Sequence, residues 1–140
     1  MWIVYAFFSA ITAALVTILA KAGLKNIDVI LATTIRAIIM VAVLLLITAT
    51  LGKFNGFSFK FLAGRDWWLI IAAGIFGALS WLFYFMALKY GLASHVAAID
   101  KLSLVFIIIF SLLFLKESFH WLVILGGLLM AIGAILISIK

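Results

Sequence analysis

Three ionisable side chains, Arg36, Asp100 and Lys101, lie inside otherwise apolar stretches of this sequence. Asp100 and Lys101 are adjacent and fall within the first two turns of one apolar run, and Arg36 lies about eight residues into another. A charge near the centre of a bilayer costs about 2.5–3.5 kcal/mol on insertion scales, so an apolar sequence retains it where it is paired or used. The chemistry that these residues offer is ion pairing and the anchoring of a polar group.

Composition identifies the surroundings of these charges. Of 140 residues, 70% are hydrophobic and 10% are charged, and the mean hydropathy is +1.49. A soluble domain carries about 25% charged residues, so these values exclude an ordinary globular protein and indicate a polytopic membrane protein. The chain has no cysteine, and its two histidines, His95 and His120, lie at the edges of predicted spans. We therefore expect neither a metal site nor a cofactor.

The net charge of +6 does not indicate nucleic-acid binding. The ten basic residues are spread singly or in pairs between apolar runs, without the basic stripe interleaved with aromatic residues that nucleic-acid binding requires. Loops beside anionic headgroups explain them better. Membrane lipid is therefore an expected partner, and nucleic acid is not.

Five apolar runs are each long enough to cross a hydrocarbon core of about 30 Å at 1.5 Å per residue. They cover residues 2–20, 29–51, 67–88, 96–115 and 120–139. The expected fold is an all-α membrane protein in which five transmembrane helices form one domain, residues 1–140. We expect Ser118 to cap the fifth helix. We also expect the phenylalanines of the 52–66 link to lie along the membrane surface.

Small residues form a face on the first run and on the last. Ser9, Ala13 and Thr17 recur at a spacing of four, which is typical either of close helix packing or of a face that lines a cavity. On the fifth run the small residues are Gly127, Ala131 and Ala134. They predict a packing face, either within the chain or between two chains.

The third run is rich in aromatic residues toward its end, where Trp81 and Tyr84 lie. Each of these two side chains carries a polar atom that is costly to leave bare in hydrocarbon. They either line a ligand cavity or face lipid and neighbouring helices, and the sequence leaves both interpretations open.

Basic residues outside the predicted spans are balanced between the two sides of the membrane. One side holds Lys21, Lys25, Lys89 and Lys140, and the other holds Lys53, Lys60, Arg65 and Lys116. Orientation follows the asymmetry of lysine and arginine between the two sides of the membrane. Four basic residues on each side therefore predict little preference for one orientation over the other. Including Arg36 and Lys101 changes the balance to six against four.

The fragments LAKAGLKNIDVILATTIRA (19–37) and MALKYGLASHVAAIDKLSLVF (86–106), followed by FLKES (114–118), resemble the drug/metabolite transporter superfamily. The closest likeness is to its EamA-domain branch with a single five-span repeat. It extends over nearly the whole chain in span order. Larger relatives carry two such domains in tandem, so the resemblance implies half of a ten-helix carrier with inverted halves. It also implies that the first four helices enclose a cavity and that the fifth packs at the periphery.

The chain departs from these relatives in two respects. They often carry proline near the position of Ala98, whereas this sequence has no proline, so any kink there is expected to come from packing or water. Four-span multidrug relatives use a glutamate in the first span for proton exchange. Residues 2–20 contain none, so that mechanism is not transferred.

A five-helix unit is too small to enclose a sheltered path, and many carriers use two inverted repeats around a midplane site. We therefore expect a secondary transporter of small metabolites in the cytoplasmic membrane, working as an antiparallel homodimer with alternating access. The alternative is an accessory subunit, or half of a heteromeric flippase, with no transport activity alone. An enzyme is not expected, because the spans lack a nucleophile, base and orienting group in combination.

The predicted substrate cavity or gate contains Arg36, Trp81, Tyr84, Asp100, Lys101, Ser9 and Thr17. Arg36 and Asp100 enter from the same membrane face at similar depth, so a pair there would lower the cost of both charges. Such a pair either orients the second and fourth helices or forms a gate or anchor for the substrate. The aromatic third run favours a small amphipathic or apolar metabolite.

Overall fold

The computed structural model describes residues 1–55, 64–118 and 120–139, and the regular elements in these ranges are helical. They are α1 (Trp2–Gly23), α2 (Val29–Thr50), α3 (Arg65–Tyr90), α4 (Ala93–Asp100), α5 (Ser103–Phe110), a π-helical turn (Ser111–Leu115) and α6 (Trp121–Ser138). Five segments are long and apolar enough to cross a membrane: α1, α2, α3, α6 and the segment Ala93–Leu115, which contains α4, α5 and the π-helical turn. The predicted all-α fold with five spans is confirmed.

The observed helix ends differ from the predicted ones by a few residues. α3 begins at Arg65, two residues before the predicted start, and therefore includes Asp66 in its first turn. A carboxylate there is favourable because the N-terminus of a helix carries partial positive charge. The fourth span begins at Ala93, three residues early. Residues 56–63 lie outside the described part of the chain, and with them most of the phenylalanines expected at the membrane surface.

The chain divides into two compact units. The terminal unit comprises Met1–Ala22 and Ala87–Lys140, and within it α4 and α5 pack against α6. The central unit, Gly23–Met86, contains α2 and most of α3. None of the residues of α1, α2, α4 or α5 is buried, as expected for apolar helices whose surroundings are lipid or another protein. The expectation that all 140 residues form one domain stays a prediction.

The N-terminus of α2 is capped by Asp28. Its carboxylate accepts hydrogen bonds from the backbone N–H groups of Ile30 at 2.9 Å and Leu31 at 3.0 Å. The first N–H groups of a helix have no partner within the helix, and a side-chain cap of this kind contributes about 1 kcal/mol. Two of the free N–H donors at the start of α2 are therefore satisfied by Asp28.

The prediction that Ser118 caps the last helix is wrong. α6 begins at Trp121, and its capping position is His120, whose side chain makes no capping hydrogen bond. Lys116 adopts a left-handed conformation with φ 53°, and its N–H and that of Glu117 both reach back to the carbonyl of Ser111. This turn follows the π-helical segment, so the next helix begins later than the sequence pattern suggested.

The fourth span is interrupted at Lys101 and Leu102, between α4 and α5. Lys101 (φ −68°, ψ −11°) and Leu102 (φ −62°, ψ −19°) have backbone angles close to those of a 3₁₀ helix. Leu102 donates to the carbonyl of Ile99, Leu104 to that of Lys101, and Val105 to that of Leu102, each at 2.9–3.1 Å. These bonds, each three residues back, satisfy several of the backbone groups at the interruption, and they account for it without proline.

Gly127 brings α6 close to α5. A β-carbon at Gly127 would lie 2.8 Å from Cδ1 of Ile108, whereas one at the neighbouring Gly126 would meet nothing within 4 Å. Gly127 is buried and Gly126 is exposed. The small residue at position 127 is therefore required by a contact within the terminal unit.

Replacing Gly127 by leucine is expected to destabilise the protein, because the new side chain would overlap Ile108. Overpacking of this kind costs about 1–3 kcal/mol, which thermal unfolding in detergent would register as a lower Tm. Gly126→Leu is the matched control and is expected to leave the Tm nearly unchanged. Equal losses in the two variants would contradict the close approach of α5 and α6.

Candidate functional site

Arg36 lies in the central unit with its guanidinium over an aromatic ring. Its Cζ atom is 3.7 Å from the ring centroid of Trp81 and 5.4 Å from that of Phe85. Arg36 is the eighth residue of α2, so it lies about 10 Å along the helix from the membrane edge. A cation over an aromatic face gains about 0.5–2 kcal/mol, which offsets part of the insertion cost of about 2.5–3.5 kcal/mol.

The ring under Arg36 is held by two other aromatic side chains of α3. Trp81 contacts Tyr84 edge-on, with ring centroids 5.7 Å apart, and contacts Phe85 in the same manner at 5.8 Å. Residues three and four apart share one face of a helix, so the local sequence alone groups these three rings. Phe85 is buried, and Trp81 and Tyr84 are half-buried. The cluster presents the face of Trp81 to Arg36.

The contact with Trp81 leaves the N–H donors of Arg36 without an acceptor among the described residues of the central unit. A guanidinium donates its N–H groups in its own plane, whereas a stacked ring occupies the face. Within the described residues of the central unit, 23–55 and 64–86, no side chain or carbonyl accepts a hydrogen bond from Arg36 and no carboxylate forms a salt bridge with it. Arg36 is therefore positioned by an interaction that does not neutralise its charge.

Asp100 and Lys101 lie in the terminal unit, at the interruption of the fourth span. Asp100 is the last residue of α4, and its carboxylate is 3.6 Å from Nζ of Lys101. The Asp100 side chain is 41% exposed and the Lys101 side chain 60% exposed, so this ion pair is open rather than buried. The expected proximity of Arg36 to Asp100 concerns residues of different units and stays a prediction.

The other residues predicted for the cavity lie on α1. Ser9 is exposed, and its carbonyl accepts a hydrogen bond from the Thr12 hydroxyl at 3.0 Å. The Thr17 hydroxyl is half-buried and donates to the Ala13 carbonyl at 3.0 Å. On α6, Gly127 and Ala134 are buried and Ala131 is half-buried. The structure thus groups Arg36 with Trp81 and Tyr84, and Asp100 with Lys101.

Lys21 makes a polar contact that the sequence pattern does not predict. The Lys21 Nζ atom donates to the carbonyls of Leu88 at 2.6 Å and Gly91 at 2.8 Å, all within the terminal unit. The last carbonyls of a helix have no partner within the helix, and lysine is one of the residues that can satisfy them. Leu88 is fully buried. The sequence pattern predicts Lys21 in a loop, whereas it lies in α1 and caps the C-terminal end of α3.

Gly91 makes the turn beside this contact possible. A β-carbon there would lie 2.8 Å from Cγ2 of Val96 and 3.2 Å from the Ala87 carbonyl oxygen. The Gly91 N–H also donates to that carbonyl at 2.8 Å. The turn between α3 and α4 is therefore tight, and its Gly91 carbonyl faces Lys21.

These features define a multi-pass α-helical membrane protein with ionised groups inside its spans and an interrupted fourth span. The chain belongs to the EamA-like transporter family, whose profile matches residues 1–139. It is 38% identical over 138 residues, covering 99% of this chain and 96% of the relative, to a protein from Sinorhizobium sp named "Uncharacterized transporter in cobO 3'region". No solved structure matches the chain. The resemblance noted in the sequence is confirmed, and these matches support a role in transport.

Replacing Lys21 by methionine is expected to weaken the junction of α1, α3 and α4. It leaves the carbonyl of the buried Leu88 without its donor, and an unsatisfied buried polar group costs about 1–3 kcal/mol. Thermal unfolding in detergent measures the loss. Lys21→Arg keeps a donor and is expected to retain part of the stability, while Lys53→Met controls for the removed charge. A Lys21→Met protein as stable as the wild type would show that this contact contributes nothing.

Proposed function

We propose that this protein is a secondary transporter of small metabolites in the cytoplasmic membrane and that it works as an antiparallel homodimer with alternating access. The observation that carries the proposal is the interruption of the fourth span beside Asp100 and Lys101. It lies about 12 Å along the span from its start at Ala93. In many carriers, spans broken near the midplane form the substrate and ion sites.

The need for a second copy follows from the size of the unit. Family membership covers residues 1–139 with five spans, whereas alternating access in many carriers moves one repeat against an inverted partner. A second chain inserted the other way up would supply that partner. α1 and α2 contain no buried residue, so their apolar surfaces are available to lipid and to another copy.

The charges near the span ends support insertion in both directions. Orientation depends on lysine and arginine within about 15–20 residues of the span ends. Lys21, Arg65 and Lys89 lie in the terminal turns of helices and not in the links. They therefore still belong to the count of basic residues on each side. The balance stays four against four for residues outside the spans or in their terminal turns, and it is six against four when Arg36 and Lys101 are included. Lys60 and Lys140, which take part in it, lie outside the described residues.

Within this carrier we assign roles to the three charged residues inside the spans, Arg36, Asp100 and Lys101. Asp100 is the carboxylate placed well inside a span, since Asp66 lies in the first turn of α3. Side-chain proton coupling would therefore use Asp100, with Lys101 as its immediate counter-ion. Arg36, held against Trp81, forms a gate or an anchor for a polar group of the substrate.

The antiparallel dimer is tested by labelling from one side of the membrane. The chain has no cysteine, so Asn26→Cys and Asn55→Cys, both at exposed positions on successive links, each provide a single thiol. With an impermeant maleimide on intact cells, we expect about half of each variant to be labelled before permeabilisation and the rest after, because copies insert in both orientations.

Labelling of every copy from one side would rule out the antiparallel homodimer and favour a parallel assembly or an oppositely oriented partner protein. Solute flux by the purified protein in liposomes separates the carrier from its alternative. Flux that appears only when a second protein is added would identify this chain as half of a heteromeric transporter or flippase.

Asp100→Asn is expected to abolish pH-dependent transport, because the amide has no proton to exchange in this range. The measurement is solute uptake into proteoliposomes with and without an imposed pH gradient. Asp66→Asn removes the same charge from the first turn of α3 and is expected to preserve the response to pH. Full pH dependence in the Asp100→Asn protein would exclude this carboxylate as the coupling group.

A further inference from the structure

In the central unit, the guanidinium of Arg36 contacts an aromatic ring but has no described hydrogen-bond acceptor. The guanidinium of Arg36 lies over Trp81 at 3.7 Å, and a stacked guanidinium still directs its N–H donors outward in the plane of the group. No described residue of the central unit accepts a hydrogen bond from it. The described part of this unit therefore holds the cation in place without balancing it.

The geometry of that edge selects the kind of group that can balance it. Two parallel N–H groups of a guanidinium match the two oxygens of a carboxylate or phosphate, and such paired bonds are among the strongest hydrogen bonds in proteins. A neutral polar group would satisfy the donors without offsetting the charge. A cationic ligand would be repelled by Arg36. Since no described residue of the central unit balances Arg36, its N–H donors favour an anion.

The side chains around Arg36 determine what else the ligand carries. Trp81 and Tyr84 are half-buried and contact each other edge-on, so they offer apolar ring surface next to the charged edge. Aromatic side chains of this kind combine a large apolar surface with one polar atom. A ligand with an anionic end and an apolar body matches both parts of the arrangement.

We propose that Arg36, oriented by Trp81, binds the carboxylate or phosphate of an anionic amphipath, and that this class of molecule is the substrate. The inference rests on the proposed transport function and narrows it. The anionic group comes either from a soluble metabolite or from a lipid headgroup, and the two sources share the same recognition chemistry at Arg36.

Three probes that share a phenyl ring and differ in the polar end test the charge preference: phenylacetate, 2-phenylethanol and phenylethylamine. They are titrated by calorimetry into the purified protein in phosphatidylcholine nanodiscs. For a soluble ligand we expect phenylacetate to bind about ten- to a hundredfold more tightly than the other two, as charge-assisted hydrogen bonds predict. This comparison uses the wild-type protein and does not depend on how a variant folds.

Substitutions then assign the preference to Arg36. Arg36→Gln is expected to remove it, and Arg36→Lys to reduce it, since lysine keeps the charge but loses the planar pair of donors. Arg65→Gln removes the same charge from the exposed first turn of α3 in the same unit and is expected to preserve the preference. Trp81→Leu is expected to weaken phenylacetate binding, whereas Trp68→Leu, at an exposed position of the same helix, is not.

A second measurement, with phosphatidylglycerol, tests whether the anion is a lipid headgroup. Phosphatidylglycerol retained by the purified protein is measured by native mass spectrometry for the wild type, Arg36→Gln and Arg65→Gln. Retention that falls only in Arg36→Gln shows that the anion is a lipid headgroup, and an Arg36-dependent preference for phenylacetate shows that it is a soluble molecule. The proposal is overturned if neither phenylacetate nor phosphatidylglycerol binding depends on Arg36.

The anion site at Arg36 and the proposed transport function can fail independently of each other. Arg36-dependent binding without flux in liposomes keeps the anion site and refutes the carrier. Flux in liposomes, with neither phenylacetate nor phosphatidylglycerol binding dependent on Arg36, keeps the carrier and refutes the anion site.

Discussion

Polar backbone groups that enter hydrocarbon must find partners inside the protein, since lipid offers none. The chain meets this constraint differently at three places where a regular helix would leave groups bare. Asp28 accepts the first N–H groups of α2. Lys21 donates to the carbonyls of Leu88 and Gly91 at the end of α3. At Lys101 and Leu102 several backbone groups are satisfied by bonds three residues back. Partners from side chains and from nearby backbone thus support the chain at these irregular points.

Charges inside the spans are governed by the same constraint but are handled in two ways. Asp100 is paired with its sequence neighbour Lys101, and both side chains are open to their surroundings. Arg36 is instead stacked on an aromatic ring that two further rings hold in place. An ion pair cancels charge, whereas stacking positions a charge and leaves it unbalanced. The first arrangement places a carboxylate beside its counter-ion, and the second is the one on which the proposed anion site rests.

The interruption of the fourth span lies directly beside the charged pair Asp100 and Lys101. In a chain without proline, the interruption depends on two residues in 3₁₀ geometry, a conformation that often marks a hinge within a longer helix. It places Asp100 at the end of one short helix and Ser103 at the start of the next. Under the proposed transport function, this is the point at which the fourth span would bend.

The sequence by itself determined the membrane class, the five spans and the family, because hydropathy and the AIDKLS fragment are local properties of the chain. It also grouped Trp81 with Tyr84, since residues three apart share a helix face. Tertiary structure alone decided that Arg36 lies on Trp81 and that Lys21 reaches Leu88, 67 residues away. The start of α6 at Trp121 was decided by the turn at Lys116. Such contacts depend on how the helices are placed in space, and residue type and spacing along the chain do not determine that placement.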